Sequence, residues 1–537
     1  MTSRSGFPLT RGACLCLVYV LCLTGTASMC AAQMQATPRP VSLIEALQAT
    51  LQNNTTLRQA NAGILVTQSA VKRESGAFDT HLDLAGKQIH SYFPLTNYEH
   101  SIALSAGVNT YNQDLISTDL NAQGSKLLTS GIRISSQLDM SHASDNLENI
   151  GGVDITNLNV EALFPLLGGR GKRVNTQPVR IARLELEGAT ADLDGATASM
   201  VMKAAELYFN LVTSRQRLDT DRAAEEDAVH LEKNVDELIQ ADKLPAVDRW
   251  TAQASVEQCK VRVLTEEQAG IEARQALGEV MGLGALESDA LEPDSDRLPT
   301  PETGKLPSID LPSLIAQSLQ LRGESQGAQK HLDAADATLQ MAGDALHRRL
   351  DLAIDSGYTG MGLGEGAGNF LDSVSGRVGG ANVQASLTYH FDGARSAAQA
   401  QLETAQADVT QATAQEESTN RQIAGEVVTA VRNLQLNIEM VSSAASAEDA
   451  LEQTLEGERD RLTEGVAVLN DVLLAQQNLL ESQLATIEAR HKFALAIVQY
   501  RYATGTLFGG DASHPVLDPA TFYSFNPIAG SSLRSTP

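Results

Sequence analysis

Aromatic side chains are scarce: Phe, Tyr and Trp make up 4% of 537 residues, and Trp250 is the single tryptophan. A large globular enzyme fills its core with more of them, so an ordinary compact catalytic domain is disfavoured. Basic charge is short as well. Forty Lys and Arg against 66 Asp and Glu leave −26, the wrong sign for gripping nucleic acid, which is not expected as a partner. Four of the five cysteines (Cys14, Cys16, Cys22 and Cys30) fall near the start of the chain, leaving Cys259 alone afterwards. One thiol builds neither a disulfide framework nor a Cys-based zinc site. Beyond the N-terminal segment there is no run of about 18 consecutive apolar residues, so no transmembrane helix is expected in the processed chain. Catalytic signatures are missing too: no His-Glu-x-x-His, no Gly-x-Ser-x-Gly, and Gly169-Arg-Gly-Lys-Arg173 lacks the Ser or Thr of a phosphate loop. The expectation is a protein that is not an enzyme and holds no cofactor or metal.

What is present begins with an address. Arg4 and Arg11 precede the apolar run Ala13–Leu23, and small residues lead to Cys30-Ala-Ala32. A run of that length is too short to span a bilayer and reads as a secretory signal over residues 1–32, cleaved after Ala32, with Ser28 as a second option. Cys30 is a candidate for lipid attachment, but Met29 before it fits the lipoprotein pattern poorly, and plain cleavage is the better reading. Since 1–32 carry two Arg and no acid, the processed chain holds 38 basic against 66 acidic residues, or −28.

The remainder is too long for one small domain and reads as two copies of one plan. Leu82-Asp-Leu-Ala85 recurs as Leu350-Asp-Leu-Ala353, and Ala191–Ala198 recurs as Ala407–Ala414. Farther on, Asp248, Ala252, Gln253 and Gly282 match Asp471, Ala475, Gln476 and Gly505 at one constant spacing. That spacing exceeds the one between Ala191 and Ala407 by a single heptad. The difference reads as a heptad added within the second long helix, which nearly preserves the inward face. The first repeat takes 33–287, with a helix over 43–75, strands within 78–167, a long helix over 179–241 and a helix over 247–281. A Pro- and Asp-rich linker, 288–311, leads to the second repeat, 312–508. There the pattern gives a helix over 312–348, strands within 349–391, a long helix over 394–464 and a helix over 468–504, followed by a tail, 509–537.

No proline interrupts Pro178 to Pro245 or Pro312 to Pro515, and apolar residues recur at three-to-four spacing. Helices of about 63 and 71 residues, roughly 95 and 107 Å long, demand a coiled-coil partner. The short helices sum to nearly those lengths, so two stacked end to end would lie along each long one. An ordinary elongated coiled coil is the alternative.

Between the helices the period changes to two. Ser101–Asn109, Asn157–Phe164, Leu350–Asp355 and Val383–His390 each alternate apolar with polar residues. Aromatics (Tyr92, Phe93, Tyr98, Phe164, Tyr358, Phe370, Tyr389, Phe391) fall near the strand ends, as in an interfacial girdle. A half-buried soluble sheet alternates too. About four long strands cannot close a barrel alone, and hydrocarbon tolerates no open sheet edge, so membrane strands would require several subunits to share one barrel. Glycine-rich Gly357–Gly368 reads as an exposed hairpin loop.

These residues resemble the TolC family of outer-membrane efflux and secretion channels. Val41-Ser-Leu-Ile-Glu-Ala-Leu47 resembles the family's first helix. Phe164-Pro-Leu-Leu-Gly-Gly-Arg170 and Tyr389-His-Phe-Asp-Gly-Ala-Arg395 resemble its strand-to-helix junctions, on Pro165, Gly169, Arg170, Gly393 and Arg395. Gly465, Asp471-Val472-Leu473 and Ala475-Gln476 resemble its periplasmic hairpin. The resemblance runs from about residue 41 to 508 and implies an α+β membrane protein. A long α-helical coiled-coil barrel would form a periplasmic tunnel, continued by a β-barrel shared between subunits. It further implies a homotrimer with twelve strands, set in outer-membrane lipid with its helices in the periplasm. A periplasmic adaptor would couple it to an inner-membrane RND-type or ABC transporter. The candidate gate is Asp471, repeated in three copies near the axis; an ordinary solvated Asp in a helix's first turn is the alternative. Leu474 stands where some members carry a second Asp, and Ala467 where a gating Arg can occur. The hairpins carrying Asp242, Lys243, Leu244 and Pro245, and Glu464, Gly465 and Val466, are candidate adaptor contacts. A secreted coiled-coil protein with a soluble β cap is the rival reading.

Overall fold

A computed structural model describes residues 39–147, 151–294, 297–301, 309–364, 373–374, 378–391, 393–510 and 515–524. The segment 1–32 expected as a signal, with Cys30, Phe370, and parts of the linker, of the Gly-rich stretch 357–368 and of the tail lie outside the described residues.

The chain opens with strand β1 (Arg39–Val41), helix α1 (Leu43–Asn53) and helix α2 (Thr55–Ser75). Strand β2 (Thr80–Pro94), helix α3 (Asn97–Ser105) and strands β3 (Asn112–Leu127), β4 (Arg133–Asp145) and β5 (Val153–Pro165) follow. A one-turn helix α4 (Lys172–Asn175) leads into α5 (Gln177–Gln240), which is succeeded by α6 (Asp248–Met281), α7 (Ala285–Asp289) and β6 (Leu291–Pro293). The second repeat comprises α8 (Leu311–Leu321), α9 (Gly323–Ala345), β7 (Arg349–Leu363), β8 (Gly379–His390), α10 (Ser396–Thr463) and α11 (Leu469–Ala503), with α12 (Ala520–Tyr523) after it.

Two helices dominate. With 64 and 68 residues, α5 and α10 extend roughly 96 and 102 Å. Along α5 pack α2 near the sheet and α6 toward the far end; along α10 pack α8, α9 and α11, with α9 also seated against α5. Small seam residues, among them Gly188, Ala191, Gly195, Gly323 and Ala334, let these axes approach closely. A cluster at mid-length collects Tyr208, Phe209, Leu277, Met281, Phe508 and Phe522 around β1, which pairs in parallel with β6. Tyr208 donates to the Val41 carbonyl there, at 3.3 Å.

Several expectations require correction. The helices over 43–75 and 312–348 are each broken once, at Asn54 (ψ 128) and Arg322 (ψ 126). Asn54 ends one helix and starts the next: its side chain accepts from the Thr56 and Leu57 amides and donates to the Val280 carbonyl. The apolar period runs on through both breaks, which is why periodicity missed them. Residues 101–109, expected as a strand, are instead the end of α3, to Ser105, and the turn after it; the helix is started by a capping box between Thr96 and Glu99. Ala103, Ser105 and Gly107 between Ile102, Leu104 and Val108 produced the alternation over a stretch too short to show a helical period. The added heptad also disappears. Gly171 and Arg395 precede the helices α4 and α10, and the left-handed residues Asp242 and Gly465 mark the turns that follow the two long helices. The chain from Gly171 to Asp242 is nearly as long as the chain from Arg395 to Gly465. The match of Ala191–Ala198 to Ala407–Ala414 therefore sits one heptad out of register on Ala-rich helices, where such a slip preserves the face.

Six strands, not about four, form one antiparallel sheet in the order β2-β3-β4-β5-β7-β8. None of the described helices is long and apolar enough to cross a membrane.

Candidate functional site

Through its middle rows, the register of the sheet separates an apolar from a polar face. Leu84, Ala122, Leu138, Leu158, Tyr358 and Ala381 lie in one row across all six strands. One residue along, Asp83, Gln123, Gln137, Asn159, Gly357 and Asn382 form the next row on the opposite face. The first face continues with Leu82, Ile116, Leu120, Ile134, Val160, Ile354, Val383 and Leu387, all of them exposed. Leu84 is 73% exposed and Val383 77%, values that a water-soluble sheet avoids over such a wide patch. The second face is polar and hydrogen-bonded: Asn121 and Gln137 both donate to Asp139, and Arg349 donates to Asp351 at 2.6 Å. At the end of the sheet away from the helices the apolar face gives way to two His–carboxylate pairs, His90 with Asp114 and His142 with Asp154.

At the helical end each strand-to-helix junction is built around backbone geometry. Pro165 ends β5, buried, in register with Asp351 of β7. Gly169 and Gly171 adopt left-handed φ values of 81° and 98°, and Asn175 donates to both of their carbonyls. Arg170 between them is exposed. In the second repeat the left-handed position is filled by Arg395 (φ 47°), with Gly393 exposed before it. The Arg395 guanidinium donates to the Leu346 carbonyl at the end of α9, at 2.7 Å, a favourable place for a cation at a helix C-terminus. Sequence reading missed Gly168, whose amide donates to the Arg348 carbonyl and whose missing Cβ would lie 3.0 Å from that oxygen. It also missed Gly131, in the β3–β4 turn, where a Cβ would meet the Gly169 carbonyl at 2.4 Å. Clustered glycine after Pro165 was the only available signal for the first.

At the opposite end the two interhelical turns repeat one another. Lys243 N donates to Leu238 O as Val466 N does to Arg461 O, and both turns contain a left-handed residue, Asp242 at 57° and Gly465 at 77°. The turns touch: Lys243 Nζ reaches the Thr463 carbonyl at 3.4 Å. Leu244 is half-buried beside a cluster of Leu231, Val235, Ala252, Leu462, Leu469 and Val472. Pro245, Glu464 and Val466 face solvent, as do Val247, Trp250, Val468 and Leu474. Asp471 is exposed in the first turn of α11, the position that the helix dipole favours for a carboxylate. Ala467 is buried. Arg459 of α10 and Asp227 of α5 are paired at 3.1 Å, linking the two repeats near this end.

Residues 314–506 match the family model described as "Outer membrane efflux protein". No curated protein matches the sequence closely enough to count as a relative. Among solved structures, the Vibrio cholerae outer membrane protein VceC aligns at TM-score 0.61 and 18% identity, over 86% of this chain and 96% of its own. The Campylobacter jejuni CmeC outer membrane channel aligns at 0.62 and 16%, over 86% and 85%. CusC aligns at 0.63 and 15%, over 86% and 91%. At these identities the likeness is one of fold. Residues 314–506 thus carry the pattern of the outer membrane efflux protein family model, and the chain as a whole shares the fold of these outer-membrane channels, a helical body joined to a β domain.

Proposed function

We propose that this protein is the outer-membrane exit duct of a tripartite efflux pump or type I secretion system, conducting solutes passively from an inner-membrane transporter and its adaptor to the exterior. The observation that carries this reading is the sheet: a wide, exposed apolar face backed by a polar face, with β2 and β8 as unpaired edges. In lipid those edges need partners, and three copies pairing β8 to β2 around an axis would supply them and close one barrel. The polar face then lines the bore. The helices continue it for roughly 100 Å, enough to cross much of a periplasm.

The paired turns at the far end are the surface for the adaptor, with Val247, Trp250, Val466 and Val468 as the apolar anchors beside Asp242, Lys243, Pro245 and Glu464. Asp471, brought together in three copies, is the group that would make the entrance acidic. The rival, a secreted coiled coil with a soluble β cap, is disfavoured by the exposed leucines of the sheet.

Density separation of membranes tests the reading. The full-length protein should enter the outer-membrane fraction, run as a trimer after detergent extraction, and give steady conductance in planar bilayers. A water-soluble monomer without conductance would overturn it.

A further inference from the structure

The two repeats agree closely except in their strands. The spacing from the helix break at Asn54 to Leu82 equals the spacing from the break at Arg322 to Leu350. Past that point the repeats diverge, because the stretch from Leu82 to Gly169 is about twice as long as its counterpart from Leu350 to Gly393. On this alignment β2 corresponds to β7 and β5 to β8. The hairpin β3–β4 has no counterpart and accounts for most of the surplus.

We infer that this inserted hairpin is part of the membrane wall, so that three copies close an eighteen-stranded barrel. The inference rests on the trimeric reading above and fixes the width of the duct. Three observations place the hairpin in the wall rather than in the lumen or an external loop. It pairs with β2 over the whole of Thr80–Pro94 on one side, and with β5 from Val153 to Leu163 on the other. Most of its large apolar residues, Ile116, Leu120, Ile134, Leu138 and Met140, share the face of the neighbouring strands' apolar residues, with Leu115 and Leu127 on the other. Its tight turn is docked onto the helix junction: Gly171 N donates to the Ser130 carbonyl at 2.9 Å, and Gly131 abuts the Gly169 carbonyl.

Width follows from strand number. At a spacing of about 4.8 Å and a tilt of about 40°, eighteen strands enclose a backbone diameter of about 36 Å, whereas twelve give about 24 Å. Twelve helices at about 10 Å spacing, four abreast from each copy, enclose about 38 Å. The inserted hairpin thus matches the barrel to the helical tunnel, and the membrane passage does not narrow the route. Any solute that clears the tunnel, including a bulky polypeptide, clears the barrel.

Cryo-electron microscopy of the full-length protein, extracted from outer membranes in detergent, counts the strands directly. Eighteen per trimer is expected. A trimeric barrel of twelve strands with β3–β4 folded elsewhere would overturn the inference and leave the duct reading standing, while a soluble monomer would sink the duct reading itself. Arginine substitutions give a second readout. Leu120→Arg and Leu138→Arg should abolish the outer-membrane trimer, because both side chains face lipid. Asn121→Arg and Gln137→Arg, on the bore side, should leave it intact. Equal tolerance of all four would count against the hairpin's place in the wall.

Discussion

At the scale of single residues, the long helices are tied together by a few charged side chains. Arg322, 4% exposed at the α8–α9 break, donates to Glu426 on α10 at 2.7 Å and to Glu324 through two nitrogens at 3.0 Å. Its guanidinium lies 4.2 Å from the Tyr502 ring centroid, and the Tyr502 hydroxyl donates to Glu324. Burial pushes the Tyr502 pKa up to about 12, assisted by Glu324. His331 of α9 is bracketed by Asp192 and Glu185 of α5, each at 3.0 Å, over the bare surface of Gly188. Burial works against its charge, but the two carboxylates outweigh it and the pKa is raised above the ordinary value. A raised folded pKa means that the stabilisation is fully present below about pH 6.5 and fades as pH climbs through the folded value. His331→Gln should therefore unfold earlier than the parent at pH 5.5, with the difference shrinking by pH 8.5. Paired thermal melts of the detergent-extracted proteins check this, and a pH-independent difference would contradict it.

Elements show which parts of the fold the sequence makes legible and which it hides. The long helices could be read because proline-free apolar spacing over so long a stretch has no other outcome in water. The helix breaks could not, since Asn54 and Arg322 leave the period unchanged and act through backbone angles and caps. The sheet was half legible: the alternation in β5, β7 and β8 is strong, whereas β3 and β4 mix Ser, Asn, Gln and Asp with few large apolar residues. Only the register reveals that most of those few, Leu115 and Leu127 apart, share one face. The turns of the candidate site were legible where glycine marks them, as at Gly465, and illegible where Asp242 or Arg395 takes the same left-handed shape. The β3–β4 turn offers a test at this scale. Gly131→Ala combines a φ of 93° with a contact of 2.4 Å, so it should cost more than the roughly 1–2 kcal/mol of the backbone alone. Gly107→Ala, with φ 86° and open space around it, should cost only the backbone part. Trimer yield and unfolding midpoint should fall further for the first; equal losses would mean that the turn is not held by its neighbour.

For the whole molecule, charge and geometry combine. The polar face of the sheet carries Asp83, Asp119, Asp139, Asp145, Glu161, Asp351 and Asp355 against Lys87, Arg133 and Arg349, an acidic excess within a chain of formal charge −26. On the proposed duct reading this face lines the bore, where it would concentrate cations and repel anions. Reversal potentials in planar bilayers under a potassium chloride gradient should show cation preference. Neutralising Asp83, Asp119 and Asp139 together should weaken it by shifting the reversal potential toward zero, and an anion preference in the parent protein would refute the charge argument.

The unequal repeats also fix the symmetry that each end of such a trimer presents. At the helical tips the two turns share their hydrogen bonds and backbone shape, so a trimer displays six nearly interchangeable knobs on which a ring of six identical molecules can sit evenly. At the other end four strands alternate with two, and the sixfold likeness collapses to a true threefold. On the proposed trimeric reading, a molecule grasping the rim from outside the cell would find only three equal footholds.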